Sequence, residues 1–517
     1  MVAPQRCVRC RQADAALAVR EAAYCRTCYA RVFDGKVRAS LDLARGAVLW
    51  HSVVRSTPQR TTPALAVAFS GSLHSCVLLQ AVHRLLRTAP GGAAGHDVPA
   101  RAPEQARLDV IYVDDSYLVP GAPDPGPAVA ARVAALAPDA HVVRVPLHAA
   151  FGAGDEVPAA LATACADGLR LRAARRAPAA ALDALFAALQ QTASRSDAGS
   201  ARTRVEDMRA ILVHRVLQAT AQARRCAALL FAHDASDTAA HTLAAIAKGA
   251  GHKLPVTGAA SLWVDDVLHV HPLRMHLPQE VAFYAAEHGI EAVPRPTLFP
   301  PRSAAPADAT YDALADKTSL GRLADSLVTA LQQGVSSTSS TVVGTLSKLV
   351  MQDTRLAPAP SSEDMPRMGA KAVALVRAAQ DVPVWDAHRR RSCPVCHEPA
   401  QAGAADWKAR TTMGAAPLAA PADDSPNLAH RACYACLQVL DVPRGTTLPL
   451  PADVLRAMAQ PPGTDGGPGA RARAAEPDSD AAMDAAMAVP HRERASHAAQ
   501  RVPREAMRAH VASFLLE

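Results

Sequence analysis

The stretch VAFSGSLHSC, Val67 to Cys76, decides the fold. Upstream of it, ALAVAFS is a short apolar run that ends in serine and glycine. Downstream, CVLLQAVHRLL carries apolar residues at helical spacing. Strand, tight turn and helix is the opening of an α/β unit. Such a turn offers unpaired backbone N–H groups and the positive end of a helix dipole, and both suit phosphate. The stretch lacks the G-x-x-x-x-G-K-S/T pattern of a Walker loop, so it is a different kind of turn.

Working outward, the same alternation recurs. LDVIYVDDS reads as a strand over Leu108 to Val113 that ends in two aspartates. AHVVRVPL reads as a third strand, and RCAALLFAHDASDTAAHTLAAIAKG as strand, turn and helix. LHVHPLRMHLPQEVAFYAAEHGI reads as a strand that enters a helix at Pro278. Alternating strands and helices predict a parallel sheet covered on both faces. Ligands of such sheets bind at the carboxyl ends of the strands. That edge is expected to gather Ser70, Gly71, Ser72, His74, Ser75, Asp114 and Asp237.

Composition sets the bounds. The chain has 517 residues, 50% apolar but only 4% aromatic, and much of the apolar share is alanine. Forty prolines and 27 glycines, many of them clustered, predict irregular insertions. A net charge of +7 permits a polyanionic partner without demanding one. We find no apolar run long enough to span a membrane and no secretory leader, so the chain reads as intracellular. In that setting paired cysteines bind metal more often than they form disulfides.

Of the eleven cysteines, eight form four C-x-x-C pairs. Cys7 and Cys10 precede Cys25 and Cys28; Cys393 and Cys396 precede Cys433 and Cys436. Two short knuckles, each presenting two sulfurs, build the tetrahedron that zinc prefers, and four thiolates leave no open position for catalysis. Two structural zinc sites are therefore expected. Cys76, Cys165 and Cys226 belong to no pair and read as inert core thiols. The expected division is a zinc module at 1–40, an α/β domain with Pro/Ala insertions at 61–290, and a helical segment with linker at 291–385. A second zinc module follows at 386–440, then a largely disordered tail at 441–517 that ends in a helix.

SGSLHS resembles the PP-loop signature SGGxDS of the ATP pyrophosphatases. Ser70, Gly71 and Ser75 match; Ser72 stands where the second glycine belongs and His74 where the aspartate belongs. A later G-x-N-x-x-D motif is matched at Asp237, with His233 and Asp234 replacing small residues. The cysteine modules at both ends, LVTALQQGVSSTSSTVVGTLSKL and the closing REAMRAHVASFLLE complete a resemblance to the cytoplasmic tRNA 2-thiolation protein 2 family. The resemblance implies a PP-loop α/β fold flanked by zinc modules. It further implies a cytoplasmic heterodimer with a related catalytic subunit. That complex moves sulfur from a thiocarboxylated ubiquitin-related modifier onto the wobble uridine of Lys-, Glu- and Gln-type tRNAs.

The altered turn points to a pseudo-enzyme that holds tRNA and supports its partner. Sulfur transfer also needs reactive thiols near the turn, and residues 111–320 hold only Cys165 and Cys226. Two alternatives stay open: an active ATP-dependent adenylating or sulfur-transfer enzyme with a variant turn, and a zinc-ring interaction protein. ATP as a ligand is left undecided. Candidate tRNA contacts are Arg31, Lys36 and Arg38 behind the second knuckle and Arg202 and Arg204 in SARTRVEDMR, with LRLRAARRA (169–177) beside them. Solvated helix faces would account for the same residues.

Overall fold

The structure is a computed structural model of the chain. It describes residues 6–19, 22–54, 63–87, 107–119, 121–152, 163–166, 169–173, 178–191, 198–294, 317–351, 355–358, 369–386, 392–401, 403–411, 431–443 and 446–459.

A small antiparallel hairpin, β1 (Leu17–Val19) with β2 (Ala22–Tyr24), lies between Cys10 and Cys25 and leads into the long helix α1 (Arg26–Val54). Then come β3 (Ala64–Ala68), α2 (Leu73–Arg87), β4 (Arg107–Asp114), α3 (Gly126–Leu136) and β5 (His141–Pro146). A hairpin of β6 (Thr163–Ala166) and β7 (Leu169–Ala173) precedes helices α4 (Pro178–Gln190) and α5 (Ala198–Ala223). The chain returns through β8 (Cys226–Leu230), α6 (Ala235–Ala247), the short α7 (Leu254–Thr257), β9 (Ser261–Val264), β10 (Val267–Val270) and α8 (Pro278–Glu287). Next lie α9 (Leu320–Gly334), α10 (Thr338–Leu346), β11 (Arg355–Leu356), α11 (Ala370–Gln380) and β12 (Pro383–Trp385). The last elements are α12 (Ala404–Thr411), α13 (Tyr434–Val439), β13 (Thr447–Leu450) and α14 (Ala452–Ala459).

The main sheet runs β11-β12-β9-β10-β8-β3-β4-β5. From β10 to β5 every pairing is parallel, as the alternation of strands and helices predicts. β3 and β8 are buried on both sides, which explains their unbroken apolar sequences. Alternate residues feed two cores. Ala64, Ala66, Ile111, Val113 and Leu229 face α4, α5 and the second cysteine module. Leu65, Val67, Val110, Tyr112 and Leu230 face α1, α2, α3, α8 and α11. Helices therefore cover both faces.

Three features add to these expectations. The sheet is extended by β9, β12 and β11 into a mixed sheet, because β9 runs antiparallel to β10. The segment around LRLRA is not a helix face: Leu169–Ala173 is strand β7, paired with β6 and with β13. Residues after 441 are not all tail, since β13 and α14 are ordered and Leu448, Leu450, Val454 and Leu455 are buried in the first core. Burial of alternate β13 residues is what fixes that strand. The expected terminal helix lies outside the described residues, and so do the side chain of Cys165 and most of the linker.

Candidate nucleotide turn and metal centres

β3 ends at Ala68, and the chain reverses through Gly71, whose φ of 80° is readily adopted only by glycine. The turn is hydrogen-bonded to itself. Ser72 N–H donates to Ser70 Oγ (3.3 Å), and Ser75 N–H donates to Ser72 Oγ (3.3 Å). Cys76 N–H donates to the Ser72 carbonyl (3.0 Å), and Ser75 Oγ–H to the same oxygen (2.9 Å). A phosphate at this turn needs free amide donors. Two of them are already taken by serine hydroxyls of the turn, one from the position where the signature has glycine.

The second altered position is also engaged. His74 Nε2 lies 3.0 Å from Asp234 Oδ2. Asp234 is the N-cap of α6: its carboxylate accepts Asp237 N–H (2.8 Å), and Asp237 Oδ2 accepts Asp234 N–H (3.3 Å), a reciprocal capping box. Burial alone would lower the His74 pKa, but the hydrogen bond and charge of Asp234 outweigh it and raise the pKa. Desolvation and the Asp234 charge push the Asp237 carboxyl up. Asp325 on α9 is raised by burial and by the same two aspartates. Asp234, Asp237 and Asp325 therefore lie close enough at this edge to influence one another.

Asp114, at the end of β4, is 6% exposed and serves a different purpose. It accepts Ser116 N–H (3.0 Å) and a fork from Arg144, with Nε at 2.9 Å. Burial would raise its carboxyl, yet these donors hold it below the usual range. The structure thus joins Ser70, Gly71, Ser72, His74 and Ser75 to Asp237 through Asp234, and gives Asp114 to Arg144. Asp234 was missed as a functional partner. Its signal was the D-x-x-D spacing of a capping box at the start of α6.

Both cysteine sets assemble. Cys7, Cys10, Cys25 and Cys28 lie together, as do Cys393, Cys396, Cys433 and Cys436, with the sulfurs of each set within 4.8 Å of one another. Cys10 and Cys25 sulfurs are 3.8 Å apart, and Cys396 and Cys433 sulfurs 3.9 Å. A tetrahedron with metal–sulfur bonds of about 2.3 Å has edges of about 3.8 Å, and a disulfide would need about 2.05 Å. The donor sets fit a tetrathiolate metal. The knuckles also share a backbone device: Arg11 and His397, each following a second cysteine, adopt φ of 56° and 61°. Their N–H groups close onto Cys7 and Cys393 carbonyls at 2.8 Å each.

The second set is embedded in the first core. Lys253 Nζ reaches Glu398 (2.5 Å) and lies 3.9 Å from Cys396 Sγ; Trp385 Nε1 donates to the His397 carbonyl (3.0 Å). Two of the unpaired thiols are held in the protonated, unreactive form: burial raises Cys76 to about 11 and Cys226 to about 12.

The basic candidates separate. Arg31 and Arg38 are exposed, one heptad apart on the same face of α1. Lys36 is held by Glu280 (3.0 Å) and the Met275 carbonyl (3.3 Å). Arg202 pairs with Glu206 (3.2 Å). Arg204 is 7% exposed and donates to the Leu189 and Gln191 carbonyls, so it packs the α4–α5 junction and does not face solvent. Among the described residues no helix is long and apolar enough to cross a membrane.

Residues 319–438, from the start of α9 to the second cysteine set, match the family profile described as cytoplasmic tRNA 2-thiolation protein 2. Relatives carrying that name include one from Aspergillus niger, 26% identical over 312 residues, covering 57% of this chain and 71% of the relative. One from Danio rerio is 26% identical over 381 residues and covers 67% of each. One from Coccidioides immitis is 27% identical over 286 residues, covering 54% of this chain and 68% of the relative. Among solved structures, the U34-tRNA thiolase NcsA from Methanococcus maripaludis, with its 4Fe-4S cluster, superimposes with a TM-score of 0.41 at 13% identity, over 70% of this chain and 93% of that one.

Proposed function

Because the chain belongs to the cytoplasmic tRNA 2-thiolation protein 2 family, we propose that it is the tRNA-holding, non-catalytic subunit of a two-chain complex that 2-thiolates wobble uridine. The catalytic relative supplies ATP chemistry and receives sulfur from a ubiquitin-related carrier; this chain supplies scaffold and RNA contacts in the cytoplasm. One observation carries the reading. The turn that should take phosphate is filled by its own side chains, with Ser72 Oγ on Ser75 N–H and His74 on Asp234. The inert burial of Cys76 and Cys226 agrees with it. We assign zinc to both cysteine sets, as tetrathiolate sites without an open position.

The test uses the full chain with and without its catalytic relative. Alone, the chain is expected to bind tRNA, to show no heat with Mg-ATP, and to hold two zinc ions by elemental analysis. Thiolation is expected only from the pair. Thiolated tRNA produced by this chain alone, from ATP and a sulfur donor, would end the non-catalytic reading.

A further inference from the structure

We propose that the rings of His214, Phe231, His233 and His271 form a nucleobase-stacking platform for single-stranded RNA at the carboxyl edge of the sheet. The proposal rests on the reading of this chain as an RNA-holding subunit and deepens it. Phe231 follows β8 and His271 follows β10, and these strands are parallel neighbours, so both rings emerge at the edge that carries the Ser70–Ser75 turn. His233 lies two residues beyond Phe231, and His214 comes across from α5.

The rings are close to parallel. Phe231 and His233 are inclined by 7° with centroids 6.2 Å apart, Phe231 and His271 by 17° at 5.1 Å, and His214 and Phe231 by 15° at 5.9 Å. His233 and His271 complete the array at 22° and 5.8 Å. Phe231 is buried, His214 and His271 are half-buried, and His233 is exposed, so the array has one open end.

Chemistry selects the ligand. Burial lowers the pKa of His214 and of His271, the latter to about 3, so at neutral pH these rings are uncharged aromatics. Their nitrogens do not converge as a metal site; among the described residues only the two cysteine sets and His74 with Asp234 and Asp237 gather ligand atoms in that way. Uncharged parallel rings with an open face suit a nucleobase, whose stacking tolerates any sequence. Asp237, exposed close to His233, offers an acceptor for the imino or amino N–H groups of a base edge.

The experiment titrates the full chain with a fluorescent uridine hexanucleotide, with the abasic backbone of the same length, and with intact tRNA. Wild type should bind the hexanucleotide in preference to the abasic backbone. His233→Ala should weaken hexanucleotide binding about tenfold, and His233→Phe should restore it, because base stacking on a ring contributes on the order of 1–3 kcal/mol. Hexanucleotide binding unchanged by His233→Ala, or an abasic backbone bound equally well, overturns the platform. Retention of tRNA in that case leaves the RNA-holding reading standing. No tRNA binding by any variant defeats both.

Discussion

At the scale of single residues, His74 and Ser72 explain why the turn keeps its shape without its ligand. Reverting them alone should not recover nucleotide binding. In Ser72→Gly/His74→Asp the new carboxylate would face Asp234, replacing an attraction at 3.0 Å with repulsion of like charges. We expect this double variant to melt below wild type and to give no calorimetric signal with Mg-ATP. Adding Asp234→Asn removes the repulsion and keeps a good N-cap for α6, so the melting temperature should recover. A double variant that bound Mg-ATP would contradict this account.

The histidines also give pH its direction. The folded pKa of His74 is raised, so its pair with Asp234 contributes fully below the unfolded value near 6.5 and is lost as pH rises through the folded value. His74→Gln should lower the melting temperature in acid and leave it unchanged in alkali. His271 and His276 behave oppositely: burial lowers them to about 3 and about 4. Below pH 6.5 the unfolded chain binds protons that the folded chain refuses, so stability falls as pH drops toward those values. Each group contributes a slope of about 1.4 kcal/mol per pH unit. Melts of His276→Gln between pH 6.5 and 4 should show that slope reduced by one proton; an unchanged slope would refute the assignment.

At the scale of elements, α1 and α11 pack so closely that Gly46 is the contact. A Cβ at Gly46 would overlap the Leu375 carbonyl and press on Ala379 Cβ. Glycine in mid-helix costs about 0.5–1 kcal/mol of propensity, yet here it admits a backbone. Gly46→Ala should therefore destabilise despite its better propensity, by about 1–3 kcal/mol in denaturant titration. A gain in stability would show that the helices can separate freely. The parallel strands and their helices were legible because apolar runs, turn residues and helical spacing report the same local geometry. β9, β11 and β12 were not, because two- to four-residue strands carry too little period. β7 was hidden because LRLRA places arginines at alternate positions, and its partner β13 lies far along the chain. The cysteine spacings were legible because the metal's geometry is local to each knuckle. The His74–Asp234 pair was not, because nothing in either segment states that α2 and α6 begin side by side.

At the scale of the whole molecule, the two cysteine sets look alike in sequence but occupy different places in the energetics. Cys7, Cys25 and Cys28 form a small buried cluster of their own, packed by Cys10. Cys393, Cys396, Cys433 and Cys436 share a core with α4, α5, β13, α14 and one face of the main sheet. Arg215 on α5 ties the Val395 carbonyl (3.1 Å) and Asp453 to that module, and Lys253 ties Glu398. A metal held by the second set therefore organises part of the main core, and its binding energy is folding energy for that core. Cys433→Ser/Cys436→Ser should lower the melting temperature of the whole sheet and shift Trp385 emission to the red, since Trp385 is 3% exposed and bonded to His397. Cys7→Ser/Cys10→Ser should release one metal equivalent and leave both the main transition and the Trp385 signal in place. Equal losses from the two variants would mean that the first knuckle also supports the sheet, through the continuous helix α1 that packs against it.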